Sequence, residues 1–398
     1  MIYKQFGDLK LSHLGMGNMR LPTVGERGPI DKPKARKVIE YAYEHGVNYF
    51  DTAFRYHEGE SELFSGEVLN QYPRDTWNLA SKFPGHMLRR DGDKLVFTGF
   101  GESRLEYFDS VQQIFQSQLD KCAVEYFDFF LLHGLGESSY DFYSDPDVGI
   151  IDYLLSEKKA GRIKHLGFSS HARAESIDKY LTQWKDVFEV VQIQINYLDW
   201  TLQNAKEKYE IITKHGLSVI AMEPVRGGRL AALPAEADAM LKAVRPNDSP
   251  ARWALRFLQG LPGMLVILSG MTELEQAIEN VETFSKDDPA SEEEKALLQK
   301  VVESMTNLVP CTACRYCCEG CAQNLDIPKL ISLYNEAAHD GRLFGIGAIL
   351  RSMGDNEQPS ACISCGQCVG LCPQEIDIPG IMTKFSDMIA NAPPGPRR

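Results

Sequence analysis

Short apolar runs alternate with amphipathic helical stretches from Leu14 to about Gly270. This alternation is typical of βα units, in which helices join parallel strands. Eight runs fit buried strands: residues 14–19, 47–50, 78–82, 128–133, 164–169, 190–196, 218–224 and 265–270. Eight consecutive units predict an α/β protein with a closed (β/α)8 TIM barrel. An open doubly wound sheet would usually show a GxGxxG turn after its first strand, and "GMGNMR" at 15–20 has the wrong spacing.

Helical periodicity between these runs predicts helices over 34–46, 103–123 and 204–216. The first and third stretches end in a glycine, which suits the left-handed residue that follows many helices. Two more helices, over 273–284 and 291–305, follow the eighth run. We therefore predict a barrel domain over 1–300, a smaller domain over 301–388 and a disordered tail over 389–398.

Nine of the ten cysteines lie in the predicted smaller domain, where two segments share the spacing CxxCxxCxxxC. The second ends in Pro373, whereas Ala322 follows the first. This spacing resembles the bacterial ferredoxin run, in which the fourth cysteine of each run binds the other cluster. The resemblance implies two [4Fe-4S] clusters, one bound by Cys311, Cys314, Cys317 and Cys372, the other by Cys362, Cys365, Cys368 and Cys321.

Other readings of the cysteines fit less well. Structural zinc usually takes two CxxC pairs separated by a dozen or more residues, not three cysteines at successive spacings of three. Cys318 lies outside the pattern and either packs or replaces a neighbour as ligand, and Cys122 reads as a small buried hydrophobe. A helical stretch that opens with "DIP" follows each run, at 326 and 377, which resembles the α-helical type of two-cluster ferredoxin domain found in multisubunit redox enzymes.

Charge and hydropathy restrict the expected partners and the expected location of the protein in the cell. With 55 acidic and 42 basic side chains, the formal charge of −13 would repel phosphate backbones and anionic lipid surfaces. We therefore expect neither nucleic acid nor a membrane as a partner. The chain shows no signal-peptide pattern and no apolar stretch of membrane-spanning length, so we expect a cytoplasmic protein, in which clustered cysteines more often bind metal than form disulfides.

Polar residues follow three successive strands, where barrel enzymes carry their chemistry. Asp51 and Tyr56 come after the second run, Lys82 ends the third and His133 ends the fourth. Each residue alone has a structural explanation, as a cap, a loop aromatic, a solvated charge or a core histidine. Together they predict a proton-transfer group. Lys82, held by Asp51, would lower the pKa of the Tyr56 phenol, and His133 would polarise a carbonyl oxygen while Tyr56 delivers the proton.

The motifs "GMGNMRLP", "FDTAFRYHEGESE", "SKF", "DFFLLH" and "QINY" resemble those of the aldo/keto reductase family, in the same order, over residues 1 to about 285. The resemblance implies hydride transfer from NADPH or NADH to a small carbonyl substrate, with Tyr56, Asp51, Lys82 and His133 as the catalytic tetrad. By position, it places Ser169, Ser170 and Gln194 at the nicotinamide carboxamide and Ser269 and Gly270 at the adenine end.

Two departures bear on the cofactor. Met222 replaces a tyrosine that the family often stacks on the nicotinamide, and Gly270 and Gln276 stand where many members carry a lysine and an arginine for the 2′-phosphate of NADPH. Arg226 or Arg229 could substitute for them.

The clusters leave two alternatives open. The chain could be an electron-transfer protein whose barrel only docks a partner, or the clusters could be structural. Because a nicotinamide transfers two electrons as hydride and a cluster one at a time, we expect no direct exchange between them without a flavin or a similar intermediary. The expected electron partner of the clusters is a flavoprotein or a ferredoxin.

Overall fold

The computed structural model describes residues 1–25, 28–99, 104–305, 309, 311, 315–340, 343, 346–372 and 375–392. Eight parallel strands close into a barrel, and each strand pairs with its neighbours in chain order until the eighth returns to the first. The strands are Leu14–Gly17, Tyr49–Asp51, Asn78–Phe83, Phe127–Leu132, Ile163–Ser170, Val190–Gln194, Ser218–Met222 and Met264–Ser269. The predicted (β/α)8 barrel is therefore confirmed.

Apolar side chains fill the inside of the barrel, and an antiparallel hairpin packs against them. The hairpin pairs Tyr3–Phe6 with Leu9–Ser12 and turns at Gly7, whose φ is +54°. Leu11 is fully buried against the barrel core, and the Phe6 ring centroid lies 5.7 Å from that of Phe129. Because this core is plugged by side chains, polar residues that need solvent or substrate must lie at the strand ends.

Helices cover the outside of the barrel. In the first compact unit they are Lys32–Glu44, Glu60–Leu69, Val111–Cys122, Tyr140–Ser144, Ile150–Lys159, Ala174–Gln183, Ala205–Lys214, Ala235–Lys242, Pro250–Gln259 and Leu274–Thr283. Gly46 and Gly216, which follow two of them, have φ values of +95° and +78°, as predicted from their C′ positions.

The helix predicted over 103–123 is shorter than expected. It begins at Val111, because the Ser110 hydroxyl caps it by accepting a hydrogen bond from Gln113 N at 3.3 Å. The preceding residues Glu106–Phe108 form a strand instead. They join Leu88–Asp91 and Lys94–Phe97 in a three-stranded antiparallel sheet outside the barrel.

The second compact unit contains the residues from Leu298 onward together with Leu198–Asn204. Its helices are Tyr316–Glu319, Ile327–Asp340, Gly347–Ser352, Ile378–Ala390 and the four-residue Asp199–Leu202, while Glu292–Met305 leads into it. Gln203 Nε2 donates to Glu336 Oε1 at 2.9 Å, and Ser332 Oγ donates to Leu202 O at 3.3 Å. These bonds explain why a short segment from the middle of the chain belongs to this unit.

The two predicted "DIP" helices are both present. The second begins after Asp377, whose carboxylate accepts from Gly380 N at 3.1 Å, and has its proline in the first turn. It ends at Ala390, two residues into the predicted tail, and residues 393–398 lie outside the described part of the chain. Within the described ranges, no helix is both long and apolar enough to cross a membrane.

Candidate active site and cluster site

Lys82 lies at the centre of a polar group at the ends of the second and third strands. Its Nζ donates to Asp51 Oδ1 at 2.5 Å, to Thr52 O at 2.9 Å and to Tyr56 Oη at 3.3 Å. These three bonds use all three ammonium protons. Lys82 is 1 % exposed and Asp51 3 %, so the ion pair is shielded from water. Three of the four residues predicted as a proton-transfer group are thus in direct contact.

The ionisation of this group follows from burial and charge. Burial is the largest single influence on Lys82 and lowers its pKa, but Asp51 and Tyr56 together outweigh burial through charge and hydrogen bonding. The pKa of Lys82 is therefore raised, and the ammonium stays protonated. For Tyr56, burial raises the pKa of the phenol and Lys82 lowers it. The effect of burial is the larger of the two, so the pKa of Tyr56 lies above 10. The expected effect of Lys82 is present, but it does not make Tyr56 the stronger acid that we predicted from the sequence.

His133 completes the group. Its ring meets the Tyr56 ring edge-on, with centroids 5.9 Å apart. Burial, then the neighbouring His86 and Lys82, hold the pKa of His133 well below 6.5, so the imidazole is neutral and can donate one hydrogen bond. Its Nδ1 is buried and has no hydrogen-bond partner among the described residues. A buried polar atom of this kind is suited to a partner supplied by a ligand or water.

Tyr143 fixes the position of His133. The Tyr143 hydroxyl lies 2.7 Å from His133 O and 3.0 Å from Phe83 O, and so ties the ends of the third and fourth strands together. His86, on the turn after the third strand, packs its ring 4.5 Å from that of His133. Sequence reasoning missed both residues, because neither lies at a strand end.

A buried network holds the strand that carries Lys82. Ser81 Oγ and Gln118 Nε2 each donate to Glu62 Oε1 at 2.6 Å, and Gln118 Nε2 also lies 3.1 Å from Lys82 O. Glu62 is fully buried, and burial raises the pKa of its carboxyl group. Glu62 lies in the quoted motif "FDTAFRYHEGESE", yet nothing in its spacing marked it as buried.

The residues predicted at the nicotinamide lie at the ends of the fifth and sixth strands. Ser169 Oγ accepts from Gly134 N at 2.9 Å, and Ser170 Oγ donates to Leu135 O at 2.6 Å while accepting from Ala172 N at 3.0 Å. Both serines therefore shape the loop that follows His133. Gln194 is half-buried and hydrogen-bonds the His171 side chain.

The residues predicted at the adenine end follow the eighth strand. Ser269 is buried and its Oγ accepts from Asn280 Nδ2 at 2.9 Å. Gly270 lies against Arg20, since a Cβ there would come within 2.9 Å of the arginine side chain. Gln276 Oε1 accepts from Thr272 N at 2.7 Å, so this side chain folds back over the start of its own helix.

The seventh strand ends in Met222, and Glu223 follows with a φ of +57°. The Glu223 carboxylate lies 3.8 Å from the Arg20 guanidinium and also raises the pKa of Tyr56, although less than burial does. Arg226 is buried and Arg229 exposed.

In the second unit, a cavity that is partly open to solvent has four of the predicted cluster ligands in its lining. These are Cys321, Cys362, Cys365 and Cys368. Cys321 belongs to the first run by sequence, and the fold places it with three cysteines of the second. Apolar residues such as Ile327 and Met382 form the rest of the wall. Four thiols around one such cavity fit an inorganic cluster.

Electrostatic contacts agree with this grouping. Burial raises the pKa of the Cys368 thiol, and Cys362, Cys321 and Cys365 raise it further. Burial likewise raises the pKa of Cys317 to about 12, with contributions from Cys318 and Cys311, so the spare Cys318 lies beside this second thiol group. Cys372 packs on the same core as both groups. Cys314 and Pro373 lie outside the described residues.

The described residues contain no group of three His, Cys, Asp or Glu placed for a single metal ion, and their nine cysteines form no disulfide.

Residues 13–303 match the model of the aldo/keto reductase family. The chain belongs to this family. Residues 310–376 match a 4Fe-4S dicluster domain, so an iron-sulfur region follows the reductase barrel. The protein is therefore an oxidoreductase of the aldo/keto reductase type with a C-terminal dicluster domain.

Similar proteins of known structure or name agree with this family assignment. An aldo-keto reductase of Bacillus halodurans in its holo form is 27 % identical with a TM-score of 0.59, covering 76 % of this chain and 96 % of that one. An NADH-specific methylglyoxal reductase of Escherichia coli is 23 % identical over 75 % of this chain and 97 % of its own length. A probable aldo-keto reductase of Glycine max is 26 % identical over 55 % of this chain, and the match spans only 57 % of that protein.

Proposed function

We propose that this aldo/keto reductase reduces a small carbonyl substrate with a hydride from NAD(P)H, using Tyr56 as proton donor. The observation that carries the proposal is the hydrogen bonding of Lys82 to both Asp51 and Tyr56. When bound, the reduced nicotinamide would supply the hydride. The residues around it supply the proton and the polarisation of the carbonyl group.

Each residue of the tetrad has a separate task. Tyr56 Oη gives its proton to the carbonyl oxygen as negative charge develops there. Lys82, protonated and 3.3 Å away, stabilises the phenolate that remains. Asp51 holds the ammonium in place and keeps it charged. His133, which is neutral, donates a hydrogen bond to the same carbonyl oxygen and polarises it before the proton moves.

We infer that NADH is the preferred cofactor from the charges near the predicted adenine end. The helix Leu274–Thr283 begins at the predicted adenine end, and Glu273 and Glu275 lie in or before its first turn. Gln276 is engaged by the backbone of Thr272 and Glu273. A 2′-phosphate placed there would meet two carboxylates, which makes NADPH the weaker ligand. Arg20, which lies against Gly270, is a cation at this end of the site, but it already pairs with Glu223.

The eight predicted cysteines would bind two [4Fe-4S] clusters, each completed by a cysteine of the other run. The shared cavity of Cys321 and the second run supports this exchange. A cluster carries one electron at a time, and the tetrad contains no group that stabilises a nicotinamide radical. The clusters would therefore exchange electrons with a separate redox protein, such as a flavoprotein, and not directly with the barrel.

The test starts from an anaerobic preparation assayed for iron and sulfide, then offered NADH or NADPH with a panel of small aldehydes. Tyr56→Phe removes only the proposed donor hydroxyl and should lower turnover at least about a hundredfold, with cofactor binding retained. Tyr107→Phe changes an exposed tyrosine of the antiparallel sheet outside the barrel and should have no effect. Equal turnover of the two variants would refute the assignment, and a barrel that reduces no carbonyl would support a docking role instead.

A further inference from the structure

The second cysteine run carries an exposed apolar surface. Ile363 is 60 % exposed, Leu371 44 % and Val369 37 %. Ile363 lines the cavity that holds the four thiols, and Leu371 lies against Gly320, another residue of its lining. We call these three side chains the apolar rim. Ile363 and Leu371 thus lie at one site, and Val369 follows the lining residue Cys368 in the sequence. Large apolar residues that are grouped, and not scattered singly, mark a surface for another macromolecule.

The stretch of sequence that carries the apolar rim has ionisable charges of one sign. Between Arg351 and Lys384 the sequence contains no lysine, arginine or histidine, but it contains Asp355, Glu357, Glu375 and Asp377, all exposed. An apolar centre with a charged margin is the usual composition of a transient protein interface. The acidic margin selects a partner with basic side chains and disfavours anionic lipid and acidic proteins.

Among the described cysteines, the most accessible thiol lies beside the rim residue Ile363. Cys365 is exposed and lines the cavity together with Ile363. A cluster bound by these thiols would lie near Ile363, so a partner seated on the apolar rim would approach it. Apolar contact there would exclude water between the two redox centres.

We propose that the apolar rim is the docking face for a one-electron redox protein whose own face is apolar at its centre and basic at its margin. This inference rests on the proposed clusters. In each encounter one electron leaves a reduced cluster, which becomes oxidised, and reduces the partner's cofactor by one electron. The apolar residues hold the complex together, and the acidic residues steer its formation.

The experiment uses the full chain with iron and sulfide verified, reduced by dithionite and freed of excess reductant. Stopped-flow mixing measures the oxidation of the clusters by cytochrome c, a basic one-electron protein, at low ionic strength. The variant Asp355→Asn, Glu357→Gln, Glu375→Gln should react about five- to tenfold more slowly, and 0.5 M salt should remove the difference.

Control variants distinguish the effect of the acidic residues near the apolar rim from the effect of the protein's net charge on the reaction rate. Asp147→Asn, Glu125→Gln, Glu207→Gln changes three exposed acids of the barrel unit and raises the net charge equally, so it should slow the reaction less than twofold. Equal slowing of both triple variants would overturn the proposal, because overall charge alone would then explain the rate. Faster oxidation by flavodoxin, an acidic carrier, would overturn it as well.

The apolar part is tested with Ile363→Ser and Val369→Ser. Each variant should lower the rate at which cytochrome c oxidises the clusters at saturating salt. The rate of oxidation by ferricyanide should stay unchanged, and an unchanged rate would show that the cluster is intact. Val244→Ser, at an apolar residue of the barrel unit that is 54 % exposed, should change neither rate. Rim variants that behave like Val244→Ser would refute the docking face. Absence of iron and sulfide from the unmodified protein would instead refute the proposed clusters.

Discussion

Replacing Lys82 by methionine should separate the stability of the barrel from its chemistry. The substitution keeps most of the side-chain volume but leaves the Asp51 carboxylate, 3 % exposed, without its ammonium partner. Removing one member of a buried ion pair costs about 3–5 kcal/mol, because the remaining charge is desolvated and unpaired. At roughly 2 °C per kcal/mol for a large domain, the Tm of the barrel should fall by about 6–10 °C.

The double variant Asp51→Asn, Lys82→Met removes both charges and provides the decisive comparison. It should regain most of the lost Tm, since no buried charge remains, yet its carbonyl turnover should stay as low as that of Lys82→Met. Differential scanning calorimetry under anaerobic conditions gives the Tm of the barrel, and NADH oxidation gives the turnover.

An exposed pair serves as the matched control. Lys94 lies 3.2 Å from Asp109, with both side chains more than half exposed, so Lys94→Met should cost less than about 1 kcal/mol. If Lys82→Met lowered the Tm no more than Lys94→Met does, Lys82 and Asp51 would not act as a buried ion pair. The same would follow if the Tm of the double variant were as low as that of Lys82→Met.

Three further predictions follow from the site and the fold. Cys372→Ala should damage the cluster bound by Cys311, Cys314 and Cys317 and spare the one bound by its nearest neighbours in sequence, as followed by electron paramagnetic resonance; the opposite loss would disprove the exchange of ligands between the runs. Carbonyl reduction should stay constant from pH 6 to pH 9, because the pKa of Tyr56 is raised above 10 and the pKa of His133 is far below 6.5; a decline centred near pH 7 would contradict the assignments. Burial lowers the pKa of His13 to about 4, so the folded protein holds this side chain in its neutral form. The resulting contribution to the free energy of unfolding, about 3 kcal/mol in all, is present above pH 6.5 and is lost as the pH falls towards 4. In a pH titration of stability, His13→Gln, which binds no proton, should lose less over this range.

The barrel could be predicted because its strands are short, mostly apolar runs, several of them buried on both faces. "DFFLLH" and "LVILSG" illustrate this: every residue of the strands Phe127–Leu132 and Met264–Ser269 is buried. The antiparallel sheet outside the barrel could not be predicted in the same way. Its strands have three or four residues with exposed positions, and Glu106–Phe108 lies within a stretch that also has helical periodicity.

The tetrad could be expected because parallel strands bring their C-terminal ends together, and Asp51, Lys82 and His133 mark those ends. Glu62, Gln118 and Tyr143 could not, since they reach the site from helices, where spacing along the chain does not reveal which buried side chain meets which. The place of Leu198–Asn204 in the second unit could not be predicted either, because it depends on contacts between residues far apart in the sequence. Among these contacts are the hydrogen bonds of Gln203 with Glu336 and of Ser332 with Leu202.

The most direct test of the central claim follows the hydrogen that reaches the product. The protein is given NADH carrying two deuterium atoms at C4 of the nicotinamide, together with an aldehyde that it reduces, in ordinary water without oxygen. The account predicts an alcohol with one deuterium on the former carbonyl carbon, and almost none formed by Tyr56→Phe. Product that carries only hydrogen from water at that carbon would contradict hydride transfer in the barrel and would point to electrons delivered by the clusters.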